Sequence, residues 1–235
     1  MFKTLKISRK EHNNFIKLSG DFNPLHISKQ YAVEYGFEDL MVHGVHLFLK
    51  GLELVKKKII FLKKAKIDFF NPIYLGPKIF AEINEENECI QIKLMQNLKK
   101  CLIIYLSLSK SKTFKKEEIK NFKLFNKKKP EVHSPNEQNY SGTLYHYIDP
   151  KKLSDMWTDL TKIFGCCRLH GIISLTTIVG MYYPGEKSLL KSINISFSEK
   201  CKKLKFQKVK MDKRFSLTQI KVNGMGVEAD IQAFF

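Results

Sequence analysis

The string SGDFNPLH, residues 19–26, places a carboxylate and an imidazole on either side of a stiff turn. Pro24 fixes its own φ and biases Asn23 away from helix. The Asn23 side chain can bond neighbouring backbone and stabilise the bend. Asp21 then sits on one arm and His26 on the other, and a water molecule could sit between them. At neutral pH an ordinary Asp is ionised and an ordinary His mostly neutral, with pKa values of roughly 3.9 and 6.5. Such a pair can move a proton from water to a substrate, or reverse that transfer. Taken alone, this Asp and His also fit a plain join between two helices, with both side chains in solvent.

The flanking residues must position this string. Ser8 and Glu11 form a capping box that opens a helix, and Gly20 ends it. Ser28 caps a second short helix that Gly36 closes. From Gly44 a more apolar helix carries Val45, Phe48, Leu49 and Leu52 at helical spacing. The alternating strands AKIDFF, KIFAEIN, ECIQIKLMQ and CLIIYLSLS follow. Residues 109–140 are charged, with two prolines near the end, and read as a linker with one solvated helix.

The second half repeats the first in outline. Asp149 caps a helix with Pro150 at its first position, and Leu153, Met156, Trp157, Leu160 and Phe164 form an apolar stripe. A second His-Gly pair, His170-Gly171, is expected to open another apolar helix. The strands SLLKSINISF, KLKFQKVK, RFSLTQIKVN and GVEADIQAFF complete the copy. Gly44 and Phe69 are 25 residues apart, and Gly171 and Phe197 are 26 apart. Gly20 and Gly44 are 24 apart, whereas Gly165 and Gly171 are only 6 apart. The second copy therefore lacks the DFNPLH stretch. It is expected to keep the scaffold without the chemistry.

Composition narrows the function classes. The formal charge is +18, but only Arg9, Arg168 and Arg214 among 41 basic residues are arginines. Base reading and bidentate phosphate grip favour Arg, so no specific nucleic acid is expected. The lysines are spread along the chain as a solvated surface. Such a surface also attracts phosphorylated or acidic carriers. No run of 18 apolar residues occurs, and no membrane span is expected. Cys89, Cys101, Cys166, Cys167 and Cys201 include no C-x-x-C pair and read as structural thiols of a reduced, cytoplasmic protein.

The whole string Ser19-Gly20-Asp21-x-Asn23-Pro24-x-His26 resembles the signature of the MaoC-like (R)-specific enoyl-CoA hydratases, the hydratase 2 family. Ala32, Gly36-Phe37, Val42-His43-Gly44 and FFNPIYLG (69–76) extend the resemblance over about the first 100 residues. RLHG (168–171), PGEKSLLKSINISF (184–197) and the closing strands carry it faintly into the second half. The resemblance implies an α+β double hot-dog, with two antiparallel sheets each wrapped around a long central helix as an internal pseudo-dimer. Residues 1–108 would be the catalytic hot-dog, 109–140 a lysine-rich linker and 141–235 a degenerate hot-dog.

The implied activity is that of a hydro-lyase in fatty acid metabolism, converting a trans-2-enoyl thioester to a (3R)-hydroxyacyl thioester or the reverse. The acyl group would ride on CoA or an acyl carrier protein. Asp21 and His26 would be the catalytic pair. The Gly44 N–H would bind the thioester oxygen, with Asn23 and His43 beside it. Some members carry a Ser on the central helix where the spacing here puts Leu52. No cofactor is implied, and the chain would act as a monomer with an internal pseudo-dimer or as a homodimer.

Three rival readings remain: a hot-dog thioesterase, a non-catalytic acyl-thioester-binding protein, and a charge-driven nucleic-acid binder. His43 and His46 could share a helix face, but no HExxH pattern or cysteine pair supports a metal site, and none is expected. Trp157 is read as core, and Tyr182-Tyr183 as a tunnel wall or core edge.

Overall fold

The computed structural model describes residues 1–111, 131–134, 140–144, 148–198 and 202–235. Strand β1 (Phe2–Leu5) leads into helix α1 (Arg9–Ser19). Ser8 caps α1 by accepting the Glu11 N–H, and Gly20 ends it in the left-handed region at φ 68°. That φ is costly for any residue with a Cβ, which is why the helix stops on glycine. Ser28 caps α2 (Lys29–Glu34) by accepting the Tyr31 N–H. His43 stands just before α3 (Gly44–Leu54), the first central helix. Its buried face includes Val45, Phe48, Leu49 and Leu52.

Strands β2 (Leu62–Phe69), β3 (Ile79–Glu86), β4 (Cys89–Gln96) and β5 (Lys99–Leu108) complete the first half. Most of the stretch expected as a linker, residues 112–130 and 135–139, lies outside the described residues. Within it, β6 (Glu131–Ser134) pairs with β7 (Ser141–Leu144), so the sheet reaches into that stretch. Asp149 caps α4 (Pro150–Met156), as its spacing to Pro150 requires. The chain then runs through α5 (Thr158–Thr177), β8 (Leu189–Phe197), β9 (Leu204–Asp212), β10 (Leu217–Gly224) and β11 (Val227–Phe234).

All eleven strands join one antiparallel sheet in the order β1-β3-β4-β5-β2-β8-β11-β10-β9-β7-β6. Read outward from the centre, each half gives the same sequence of hairpins: β2-β5-β4-β3-β1 and β8-β11-β10-β9-β7. The repeat inferred from spacing is therefore a repeat of topology. The two sheets expected from the sequence are fused edge to edge, with Ile67 opposite Ile193 and Ala65 opposite Ile195 across β2–β8. Fusion removes two edges that would otherwise offer unpaired backbone groups. Helices α3 and α5 pack against each other on one face of this sheet.

The second half departs from expectation in where its central helix begins. His170-Gly171 does not open a helix; both lie inside α5. The break comes earlier, at Gly165, with φ 75° and ψ 160°. Gly165 thus plays the part of Gly20, and helix resumes at once because the intervening loop is missing. Gly171 serves packing instead. A Cβ there would lie 2.9 Å from Val227 Cγ2 and 3.0 Å from the Met225 carbonyl oxygen.

The stretch Thr158–Tyr182 is long and apolar enough to cross a membrane by length and composition, contrary to the expectation of none. Of its most apolar window, 89% is buried inside the protein, as befits a core helix. Cys89, Cys101 and Cys166 are free, but Cys167, expected as a free thiol, is disulfide-bonded. Trp157 is core, 1% exposed. Tyr183 stacks on Tyr140 at 4.8 Å and fills the core edge.

The close approach at Gly171 makes a testable demand. Gly171→Ala should cost about 1–3 kcal/mol through overpacking against backbone that cannot swing away. A denaturant midpoint equal to wild type would show that the helix is not pressed onto the sheet there.

Candidate active site

The left-handed turn at Gly20 drops Asp21 into the interior, where it is 1% exposed. Asp21 Oδ1 accepts the Asn23 N–H at 3.1 Å, and Asn23 Oδ1 accepts the Leu25 N–H at 3.1 Å. These two side-chain turns and the fixed φ of Pro24 set a single 3-10 turn, Pro24–His26. The loop is thus rigid for local reasons before anything packs on it.

Two buried imidazoles then hold the main chain at the two key residues. His12 Nε2 donates to the His26 carbonyl at 2.8 Å, and His43 Nε2 donates to the Asp21 carbonyl at 3.2 Å. His26 Nδ1 lies 3.0 Å from the Met41 carbonyl. A carbonyl can only accept, so Nδ1 carries the hydrogen and Nε2 of the neutral ring keeps its lone pair. The His26 and His43 ring centroids are 3.6 Å apart. His43 Nε2 is also 3.6 Å from Asp21 Oδ2.

The rest of the support comes from the second half. Thr176 Oγ1, on α5, donates to Asp21 Oδ2 at 2.6 Å. Thr177 Oγ1 donates to the Ser19 carbonyl at 2.6 Å, and the Phe22 N–H meets Met181 Sδ at 3.2 Å. Gly180 lies so near that a Cβ there would sit 2.4 Å from Asp21 Oδ1. Residues Ile178–Tyr182 form a π-helical turn that wraps this contact. Such turns are uncommon and concentrate at functional sites.

Electrostatics follow from burial. Burial pushes the Asp21 carboxyl above its ordinary pKa, against the opposing pull of His26, Thr176 and the Asn23 N–H. Burial pulls His26 below its ordinary value, with Asp21 and the Met41 bond acting the other way. His43 is driven well below 6.5 by burial and by neighbouring His26, His12 and His46. Burial thus disfavours the charged form of His26 and of His43. Both Asp21 oxygens accept hydrogen bonds, which suits an anion that can take a proton.

These groups stand at the wall of a cavity of about 160 Å³ between the halves. Asp21, Asn23, His26 and Thr176 give it a polar corner. Val42, Leu47, Phe69, Leu102, Leu190 and Phe234 make the remainder apolar. Gly44, at the first turn of α3, faces the same cavity. A Cβ on Gly44 would lie 2.6 Å from Phe69 Cε1 and 3.1 Å from Leu190 Cδ1, so only glycine leaves the helix end open. The N–H groups of a first helical turn lack helical partners and favour negative charge.

Of the residues singled out from sequence, Asp21, His26, Asn23 and Gly44 meet at this cavity. His43 lies behind it, on the Asp21 backbone. Asp21, His26 and His43 are also the compact set of potential metal ligands among the described residues, with one donor atom from each within 4.8 Å of the others. The hydrogen on His43 Nε2 points at the Asp21 carbonyl, so in this arrangement that nitrogen has no lone pair for a cation. Leu52 is core, fully buried, and the hydroxyl on Asp21 comes from Thr176 instead. Thr176, Gly180 and His12 carry no local mark in sequence. Thr176 reads as one more residue on an apolar helix face.

Fold and site together define a double hot-dog protein with a buried Asp–His corner between its halves. Residues 1–101 match the family model described as MaoC like domain. The (R)-specific enoyl-CoA hydratase of Aeromonas caviae is 36% identical over 74 residues, which cover 29% of this chain and 54% of that protein. The peroxisomal multifunctional enzyme type 2 of Mus musculus is 32% identical over 82 residues, 33% of this chain and 11% of that one. This chain thus spans about half of the first relative and a tenth of the second. A solved MaoC-like dehydratase superposes over 100% of this chain and 97% of its own, with TM-score 0.58 and 9% identity, a likeness of fold.

The buried histidines predict acid sensitivity. Burial lowers His12 from 6.5 to about 4, despite its bond to the His26 carbonyl. The unfolded chain takes up this proton as pH falls through about 6.5, and the folded chain refuses it until about 4. Stability should be flat above neutrality and fall across that window, by roughly 3 kcal/mol from His12 alone. Burial raises Glu11, but His46 and Lys50 outweigh it and hold the carboxyl at about 2, so its loss begins only below about 4.5. Denaturant midpoints measured from pH 7.5 to pH 4 check this. A flat profile would mean that the folded state accepts the protons.

Proposed function

We propose that the protein is a hydro-lyase acting on an acyl thioester, interconverting a trans-2-enoyl and a (3R)-hydroxyacyl group. One observation carries the reading. A carboxylate only 1% exposed faces an apolar cavity, beside a neutral imidazole and an open helix N-terminus. The MaoC-like domain and the (R)-specific relative support the reaction class.

In hydration, a water between Asp21 and His26 donates one O–H to the carboxylate and the other to His26 Nε2. Its oxygen lone pair is then free to attack C3 of the enoyl group. The C2–C3 π pair moves onto the thioester, whose oxygen becomes negative at the Gly44 end of α3, where helix dipole and free N–H groups stabilise it. Asp21 takes the proton lost by the water. The enolate collapses as C2 takes a proton from the same acid–base corner. Oxygen and both hydrogens of one water are accounted for, and dehydration is the reverse. Burial raises the Asp21 pKa, which makes the ionised carboxylate a stronger base than one in solvent.

The cavity also limits the substrate. Its walls, Val42, Leu47, Phe69, Leu102 and Leu190 among them, are apolar and suit an acyl tail. CoA and an acyl carrier protein both present such a tail, and the basic surface favours either anionic carrier.

Asp21→Asn should keep the fold and lose about 10²–10⁴ in turnover of crotonyl-CoA, followed as loss of enoyl absorbance in the ultraviolet. Undiminished hydration by that variant would sink the assignment. Across trans-2-enoyl thioesters of graded length, kcat/KM should fall once the tail outgrows the apolar cavity. Release of free thiol without an absorbance change at the enoyl band would instead favour a thioesterase.

A further inference from the structure

The half that lacks the DFNPLH loop contributes three contacts to the SGDFNPLH string of the other. Thr177 fixes the Ser19 carbonyl at 2.6 Å, Met181 receives the Phe22 N–H at 3.2 Å, and Thr176 reaches the Asp21 carboxylate at 2.6 Å. Thr176 is 3% exposed, so its hydroxyl has little access to competing water. Its bond to an ionised oxygen is of the short, charge-assisted kind. Gly180 complements it: any larger residue would push into both carboxylate oxygens, at 2.4 Å and 2.8 Å from a Cβ. A donor and a gap, four residues apart on one helix end, thus fix where the carboxylate can lie.

We propose that Thr176 is a positioning residue of the catalytic centre, with Gly180 providing its clearance, so that the degenerate half directs the chemistry of the other. The inference rests on the hydro-lyase reading, since it assigns a role toward that reaction's base. Thr176 leaves Asp21 Oδ1, already oriented by the Asn23 N–H, and the second lone pair of Oδ2 to serve the water. It also favours the ionised form, because a donor bonds an anion more strongly than a neutral acid. Among the described residues, the titratable groups facing Asp21 are His26, on its own loop, and His43, at the start of α3, with His12 of α1 behind His43. The second half meets it with a hydroxyl and a glycine.

The test is a comparison of Thr176→Val, Thr176→Ser and Asp21→Asn on crotonyl-CoA. Valine keeps the shape and removes the donor. It should lower kcat about 10- to 100-fold with KM little changed. It should also move the acid limb of the kcat profile to higher pH, because the carboxylate has lost a stabilising donor. Serine should restore both. Wild-type kcat and an unmoved acid limb in the valine variant, with Asp21→Asn inactive, would overturn the role of Thr176 and leave the hydro-lyase reading standing. Wild-type turnover in Asp21→Asn would overturn both. Should the valine variant fail to fold, Thr176→Cys fills similar space with a weak donor and carries the same expectation. A folded cysteine variant that matches wild type in rate and pH profile would overturn the proposal.

Discussion

The bond between Thr176 and Asp21 joins a helix of one half to a loop of the other across 155 positions of sequence. Everything near it is arranged around the cost of burying that carboxylate. An anion out of water is tolerated only when its lone pairs are occupied by donors. Here the donors are a backbone N–H of its own loop and a hydroxyl of the opposite half. The loop's own turns make it rigid, while the second half fixes where its carboxylate lies, and that half's helix end has this loop as its neighbour. The two hot-dogs are therefore coupled by a polar contact as well as by the continuous sheet.

The histidines form the other side of that arrangement. His12 and His43 act through main-chain carbonyls, one at each member of the Asp–His pair. Phe15 packs beside His43 and stacks on His46 at 4.5 Å, so the imidazoles sit in an aromatic wall rather than in solvent. Such surroundings keep them neutral, and a neutral wall leaves the carboxylate as the local charge. A loop only eight residues long can then hold two reactive groups in fixed relation, because its carbonyls and its amides are both engaged.

Much of this was legible in sequence, and for reasons that can be named. Ser8, Gly20, Ser28, Asn23 and Pro24 act through bonds to residues within four positions, so their effect survives in one dimension. The strands announced themselves by alternation, and the repeat by spacing. Three things did not show. The break in α5 at Gly165 was hidden because His170-Gly171 copies the first half's His-Gly start, while its glycine serves contact with β11. The disulfide at Cys167 depends on distance in space. Thr176 was read as part of an apolar face, since a hydroxyl's partner across the molecule leaves no trace in its neighbours.

The fusion of the half-sheets at β2–β8 has a consequence for how the site persists. In two-chain assemblies a site built from both partners is in mass-action equilibrium with its separated parts, and falls away on dilution. Here both contributors belong to one polypeptide, so their association is intramolecular and indifferent to protein concentration. A single molecule carries an assembled centre, and each half is free to vary without imposing the same change on its counterpart.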